Sequence, residues 1–404
     1  MNEAGVPDEH RGSSNLESDN THEPSASRDY FDIQHLKTDI RRRSVRGGAF
    51  TLTSQLGRAA LHLASTAILA RLLTPGDFGL VAMATALTAF LYLFREMGLS
   101  TATVQRAEVN HGQISTLFWI NLGMGALMGV VLIALARPIA WFYQRPDLTN
   151  VVLVLALALP LGALAVQHRA LLQRQMRFGV LGAIELTSVM TGTVAAIALA
   201  LSGAGYWSLV AMPLATELVS SVGTWIACGW RPGLPRRGSG VRAMLGFGGN
   251  LAAFNLVNYL ARNLDNILIG KFLGPGPLGQ YSRAYGLLMM PLRQVNAPLG
   301  AVAVPALSRL ADSPERYQRG YCDVLQKTQM LLLPGIAFLM VCADWVIFLV
   351  LGPQWRDAAA IFAFLGLAGI TQPLTNTTGW LFITQGRSCE KLRCGFLGAC
   401  ISIA

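Results

Sequence analysis

The sequence predicts an all-α integral membrane protein built from two parallel six-helix bundles that are related by a pseudo-twofold axis. The composition is the first reason: 52% of the 404 residues are hydrophobic and only 13% are charged, whereas about a quarter of a soluble chain is charged. Long apolar runs that recur along the chain are the second reason. A motif that returns after 200 residues is the third.

Residues 1–46 are predicted to be a disordered cytoplasmic tail, because they are rich in Ser, Asp, Glu and Asn and have few apolar positions. In the remaining chain, the excess Arg and Lys residues lie between apolar segments, so their positions indicate how those segments are oriented in the membrane. The composition therefore excludes a secreted disulfide scaffold, a soluble enzyme and a nucleic-acid-binding protein.

Apolar runs of about 20 residues follow the tail, and they predict helices because they lack the period-2 alternation of barrel strands. The predicted spans are residues 48–70, 78–94, 114–136, 149–166, 180–201, 206–228, 247–270, 285–307, 328–351 and 358–384. An eleventh span begins near Cys394, and only the residues from there to Ala404 remain. We therefore expect 11 spans, the last one truncated, with a twelfth span missing.

The loop charges predict that the N-terminus of this multi-pass protein is cytoplasmic. Every connection on the tail side carries Arg or Lys, whereas the opposite side has only five such residues: Arg71, Arg137, Arg145, Lys271 and Arg356. This asymmetry follows the positive-inside rule.

The internal repeat predicts the domain organisation. The motif LARLLTPGDFG at Leu69–Gly79 aligns without gaps with IGKFLGPGPLG at Ile269–Gly279. Six spans separate the two copies, and an even number preserves the direction of the chain across the membrane. We expect an N-terminal six-helix bundle at 47–230, a cytoplasmic linker at 231–242 and an incomplete C-terminal bundle at 243–404.

Polar side chains on the first and seventh spans predict a hydrated, net-positive cavity between the bundles. Residues spaced three and four apart lie on one helix face, and ionisable groups at membrane depth usually face a cavity or a partner. With one further arginine between two prolines, the candidate cavity residues are Gln55, Arg58, His62, Asn255, Asn258, Arg262, Asn266 and Arg293.

Alternatives remain open for several of these groups. Arg58 could instead pair with a carboxylate that is distant in the sequence, and Arg262 with Asp265 three residues later. Asp265 is accordingly either an ion-coupling carrier or the counter-charge of Arg262, and His62 is either a titrating group or a polar packing residue. Arg283 could extend its charge to the membrane interface.

Catalytic and metal-binding patterns are not found in the sequence. It contains no G-x-x-x-x-G-K-[ST], H-E-x-x-H or G-x-S-x-G motif. The six Cys are scattered without accompanying ligands. We expect no enzyme activity, no metal and no cofactor.

Three runs resemble the bacterial polysaccharide flippases of the multidrug, oligosaccharidyl-lipid and polysaccharide exporter superfamily. They are ILARLLTPGDFGLVAMATAL (Ile68–Leu87), FREMGLSTATVQR (Phe94–Arg106) and NLDNILIGKFLGPGPLGQYSRAYGL (Asn263–Leu287). The resemblance covers about residues 40–404. It implies a fold of two six-helix bundles. It also implies that the protein moves an undecaprenyl-pyrophosphate-linked oligosaccharide from the cytoplasmic to the periplasmic leaflet. Such proteins work by alternating access without ATP hydrolysis, often with a proton or sodium gradient.

These implications fit the residues, because Arg and Asn can bind phosphate and sugar hydroxyls. The predicted function is therefore a flippase for cell-surface polysaccharide biosynthesis, such as lipopolysaccharide or exopolysaccharide. Its partners would be the lipid-linked oligosaccharide, membrane lipid and a polysaccharide polymerase, with no nucleic acid. The alternatives are a cation-coupled multidrug antiporter of the same superfamily and a membrane glycan polymerase or glycosyltransferase.

Overall fold

The computed structural model describes residues 40–96, 100, 103–104, 109–235, 259, 263–310 and 313–385, and these residues form helices and short connections without a β-strand. The helices of the first half are α1 (Ile40–Leu72), α2 (Pro75–Glu96), α3 (His111–Tyr143), α4 (Asp147–Ala156), α5 (Ala158–Arg174), α6 (Phe178–Leu201) and α7 (Trp207–Cys228). Those of the second half are α8 (263–273), α9 (Pro275–Ser308), α10 (Pro314–Val341), α11 (Ala343–Val350) and α12 (Arg356–Thr384).

Local sequence signals account for several helix ends. Asn110 and Gln113 form a capping box at the start of α3, which satisfies two backbone donors that a helix leaves unpaired. Gly229 ends α7 with a φ of 69°, and Gly274 precedes α9 with a φ of 87°. Glycine adopts these positive angles without the steric cost of a Cβ atom.

The described residues include eight helical segments that are long and apolar enough to cross a membrane. Helix α1 is not among them, because Gln55, Arg58 and His62 interrupt its apolar sequence. The prediction of an all-α, multi-pass membrane protein is confirmed. The full span count stays a prediction, since the eleventh span near Cys394 lies outside the described residues.

The structure corrects two predicted boundaries. Helix α1 already begins at Ile40, so residues 40–46 belong to it and not to the tail. Arginines at positions 41–43 favour this extension because their unbranched side chains lose little freedom in a helix. Helix α9 begins at Pro275 rather than at 285, so Arg283 is a helical residue.

Two predicted spans are each divided in the structure. The span at 149–166 breaks at Leu157, between α4 and α5. Pro160 explains this break, because a proline ring clashes with the carbonyl group four residues earlier and offers no N–H. The span at 328–351 divides at Cys342, where α10 ends and α11 begins.

Only residues 231–235 of the predicted linker are described, and they lack regular secondary structure. They lie against α3. The Trp119 indole N–H donates to the carbonyl oxygen of Gly233 over 2.9 Å, and the Gly233 N–H donates to the Ser115 hydroxyl over 3.0 Å. This end of the linker is therefore attached to the first half.

The two halves complete each other's hydrophobic cores. Leu69 and Phe78 of the first half belong to a core formed mainly by α9–α12. Leu278 belongs to the core of the first half, and Ile269 packs against it. In the repeat alignment Leu69 corresponds to Ile269 and Phe78 to Leu278, so the exchange is reciprocal.

The repeated Pro-Gly motifs touch each other at the centre of this exchange. A Cβ atom at Gly79 would overlap the carbonyl group of Pro275, and a Cβ atom at Gly279 would overlap that of Pro75. Position 79 thus meets position 275, and the equivalent position 279 meets the equivalent position 75, which is the reciprocal pattern that a twofold axis produces. We call the contacting motifs, Leu69–Gly79 and Ile269–Gly279, the interhalf seam.

Candidate functional site

The polar face of α1 begins at Gln55 and Arg58, which are both half-buried. Helix α1 packs on α6, and the Arg58 guanidinium forms an ion pair of 2.5 Å with the carboxylate of Glu185. The structure thus shows the alternative contact, a carboxylate distant in sequence. About a third of each side chain stays accessible, 36% for Arg58 and 35% for Glu185, so the pair can also meet a ligand beside α1.

His62 lies one turn further along the same face of α1 and is exposed. Toward the end of α1, Leu69 and Leu73 share a hydrophobic core with Ala284 and Leu288 of α9, so this end of α1 packs near α9 of the other half.

Arg283 and Arg293 form no hydrogen bond or ion pair with the part of the chain that the structure describes. The guanidinium carbon of Arg283 lies 4.9 Å from the centre of the Phe78 ring, which is a cation–π geometry. Its Nε atom is buried without a hydrogen-bond partner. Arg293 is exposed. Within the described part of the chain, α9 therefore carries two guanidinium groups without a carboxylate partner.

Asp265 and Asn266 lie on α8 and are half-buried. The Tyr281 hydroxyl donates to one carboxylate oxygen of Asp265. The other oxygen accepts from the backbone N–H of Asn266 over 2.8 Å and from its side-chain amide over 3.3 Å. Three donors therefore stabilise this carboxylate, whatever its further role.

The remaining predicted cavity residues, Asn255, Asn258 and Arg262, lie outside the described residues. The pairing of Arg262 with Asp265 therefore stays a prediction, and so does the choice between an ion carrier and a counter-charge. The described residues contain no group of three His, Cys, Asp or Glu that could hold a metal ion.

Sequence reasoning missed three residues of this region as site residues. Glu185 and Arg283 were visible as charged residues within apolar surroundings, but their spacing did not reveal their contacts. Tyr281 carried no signal, because one tyrosine near a helix start is common in membrane helices.

Known proteins resemble this chain over most of its length. The family model described as "Polysaccharide biosynthesis protein" matches residues 68–360. The lipopolysaccharide biosynthesis protein WzxC of Escherichia coli (strain K12) is 26% identical, over 86% of this chain and 71% of that protein. The teichuronic acid biosynthesis protein TuaB of Bacillus subtilis (strain 168) is 30% identical, over 86% and 73%.

A third relative is the succinoglycan biosynthesis transport protein ExoT of Rhizobium meliloti (strain 1021), which is 27% identical over 83% of this chain and 68% of that protein. Among solved structures, an inward-facing multidrug resistance MATE family transporter of the MOP superfamily matches with a TM-score of 0.61. It covers 84% of both chains at 15% identity. At that identity the likeness shows the two-lobed transporter fold alone.

Proposed function

The chain belongs to the polysaccharide biosynthesis protein family, and from this premise we propose that it is a lipid-linked oligosaccharide flippase. It moves a polyprenyl-pyrophosphate-linked oligosaccharide from the cytoplasmic to the periplasmic leaflet of the bacterial inner membrane by alternating access. Its N-terminus is cytoplasmic, and its own action is transport without catalysis. A polysaccharide polymerase is the partner that would consume the flipped substrate.

The observation that carries this proposal is the pair of arginines on α9, Arg283 and Arg293, that have no carboxylate partner among the residues that the structure describes. A pyrophosphate group is anionic, and guanidinium groups bind phosphate oxygens with paired, charge-assisted hydrogen bonds. A buried or membrane-embedded cation without a partner is costly. A mobile anionic ligand would supply the missing counter-charge of Arg283 and Arg293.

The spacing of these arginines suits movement of a ligand across the membrane. Ten residues separate Arg283 from Arg293 on one helix, which corresponds to about 15 Å at the α-helical rise. A diphosphate could therefore pass from one guanidinium to the next, while the amides of Gln55 and Asn266 bind sugar hydroxyls.

The same charges argue against a cation-coupled multidrug antiporter. A cationic drug would meet the positive charges of Arg283 and Arg293. The two carboxylates described above are already engaged, because Asp265 accepts three hydrogen bonds and Glu185 pairs with Arg58. Repulsion between like charges would disfavour its binding.

Export complementation tests the proposal. The chain is expressed in a bacterium that lacks its own flippase, and surface polysaccharide is measured with membrane levels of the protein. We expect export from the wild type, loss of export in Arg293→Gln, and partial recovery in Arg293→Lys. The matched control is Arg319→Gln, since the pair that Arg319 forms with Glu315 is exposed on both sides.

Normal export by Arg293→Gln at wild-type protein level would refute the role of this arginine. Efflux of a cationic dye by the wild type, without polysaccharide export, would instead identify the antiporter.

A further inference from the structure

Two basic residues of the interhalf seam reach across to the opposite half. The Arg71 guanidinium donates to the carbonyl oxygen of Leu349 over 2.6 Å, and the Lys271 ammonium donates to the carbonyl oxygen of Phe142. Arg71 and Lys271 occupy the same position of the repeat. Each half therefore extends one cation to the other.

The two acceptors are equivalent as well. Phe142 lies four residues before Pro146, and Leu349 lies four residues before Pro353. Both carbonyl groups belong to the last turn of a helix, α3 in one case and α11 in the other. Carbonyl groups in that turn lack helical partners and carry the negative end of the helix dipole, so they suit a cation.

Additional contacts surround each of these bonds. The indole N–H of Trp355 donates to the Ala70 carbonyl over 2.8 Å, and the Gln354 amide donates to the Leu73 carbonyl over 2.9 Å. On the other side, the Lys271 ammonium also lies 5.0 Å from the centre of the Phe142 ring. All these contacts join the halves near the side predicted to lie opposite the tail.

We propose that Arg71 and Lys271 form a two-point latch, which holds the halves together on the side of the membrane opposite the tail. The latch must open for the proposed cavity to become accessible from that side. The proposal rests on the proposed function, because alternating access requires the halves to separate there. The acceptors are neutral carbonyl groups and the Arg71 side chain is exposed, so water can replace the protein acceptor when the halves part. A buried ion pair would lack this reversibility, because separation would leave an uncompensated charge.

Cysteine labelling tests the latch. Thr66→Cys, on the polar face of α1, is introduced into a chain whose six native Cys are replaced, and a membrane-impermeant maleimide is added outside spheroplasts. Arg71→Gln and Lys271→Gln should each raise the labelling rate about tenfold, since a hydrogen bond to a charged group is worth roughly that factor. The double variant should label faster than either.

The matched control is Arg145→Gln, which removes a cation from the same side. The Arg145 side chain forms no hydrogen bond within the described residues, so its labelling rate should equal that of the wild type. Should the glutamine variants not accumulate, Arg71→Lys and Lys271→Arg provide a series that keeps the charge but changes its reach. Equal labelling of the accumulating latch variants and the control would overturn the proposal.

Labelling does not require cargo, so the two proposals can fail separately. A chain that exports polysaccharide but shows no latch effect would refute the latch and leave the flippase in place. Faster labelling of the latch variants in a chain that exports nothing would support the latch and refute the proposed cargo.

Discussion

Gly79→Ala is expected to force the two halves apart at the interhalf seam. The added Cβ atom would lie 2.8 Å from the Cα atom of Pro275, whereas carbon atoms pack best at about 3.5–4.0 Å. The obstructing atoms belong to a proline backbone, which cannot rotate out of the way. The carbonyl oxygen of Pro275 would lie closer still, so the helix ends must separate by more than the roughly 0.7 Å that this pair of carbon atoms requires.

Separating the helix ends also weakens neighbouring contacts between the halves, and this loss adds to the energetic cost of the substitution. Phe78 neighbours Gly79 and inserts into the core of the second half, so moving α2 also loosens that packing. Inserting an extra group into a packed interior typically costs about 1–3 kcal/mol. We expect a destabilisation in the upper part of this range.

The repeat supplies both a second test and matched controls. Gly279→Ala should cost a similar amount, because its Cβ atom would lie 2.8 Å from the Pro75 carbonyl carbon. The double variant should cost less than the sum, since one displacement relieves both overlaps. A Cβ atom at Gly276 would meet nothing within 4 Å, and at Gly76 only the Thr74 hydroxyl oxygen at 3.6 Å.

Thermal unfolding of the detergent-purified protein, followed by tryptophan fluorescence at one heating rate, measures these effects. Gly79→Ala and Gly279→Ala should lower the midpoint by several degrees, whereas Gly76→Ala and Gly276→Ala should leave it unchanged or raise it slightly, because alanine favours a helix. A midpoint for Gly79→Ala equal to that of Gly76→Ala would show that the close contact is not present.

Further predictions concern individual contacts of the two halves. Glu185→Gln should lower stability by up to about 1 kcal/mol, because the ion pair with Arg58 is partly solvated, and a midpoint equal to the wild type would argue against that pair. Trp355→Phe should cost about 0.5–1.5 kcal/mol through loss of the bond to Ala70, since the Ala70 carbonyl keeps the bond from the Gln354 amide; an unchanged midpoint would contradict the bond of the indole. Arg58→Ala should abolish polysaccharide export at normal membrane level, and full export would remove Arg58 from the proposed cavity.

The sequence was sufficient to predict the helices but not all of their ends. A run of about 20 apolar residues leaves the backbone no partner in lipid except its own helix, so the span at 180–201 agrees closely with α6. Helix ends outside the hydrocarbon region depend on caps and turns, which an apolar run does not reveal. For this reason the start of α9 lies ten residues before the predicted one. The break at Leu157 required recognising the effect of Pro160.

The candidate site was less accessible from sequence. Periodicity correctly placed Gln55, Arg58 and His62 on one face of α1, because helical spacing is a local property. The partner of Arg58 is 127 residues away, and no local pattern identifies it. The repeat alignment predicted that two motifs are related, but contact between them depends on how the halves pack.

The exchange of core residues between the halves has a consequence for biogenesis. A growing chain emerges N-terminal end first, so α1–α7 enter the bilayer before Ile269 and Leu278 have been synthesised. Until then the core of the first half lacks these two side chains, and the core of the second half, into which Phe78 packs, has not yet formed. The core of each bundle is therefore complete only after the helices of the second half have been inserted and have packed against the first.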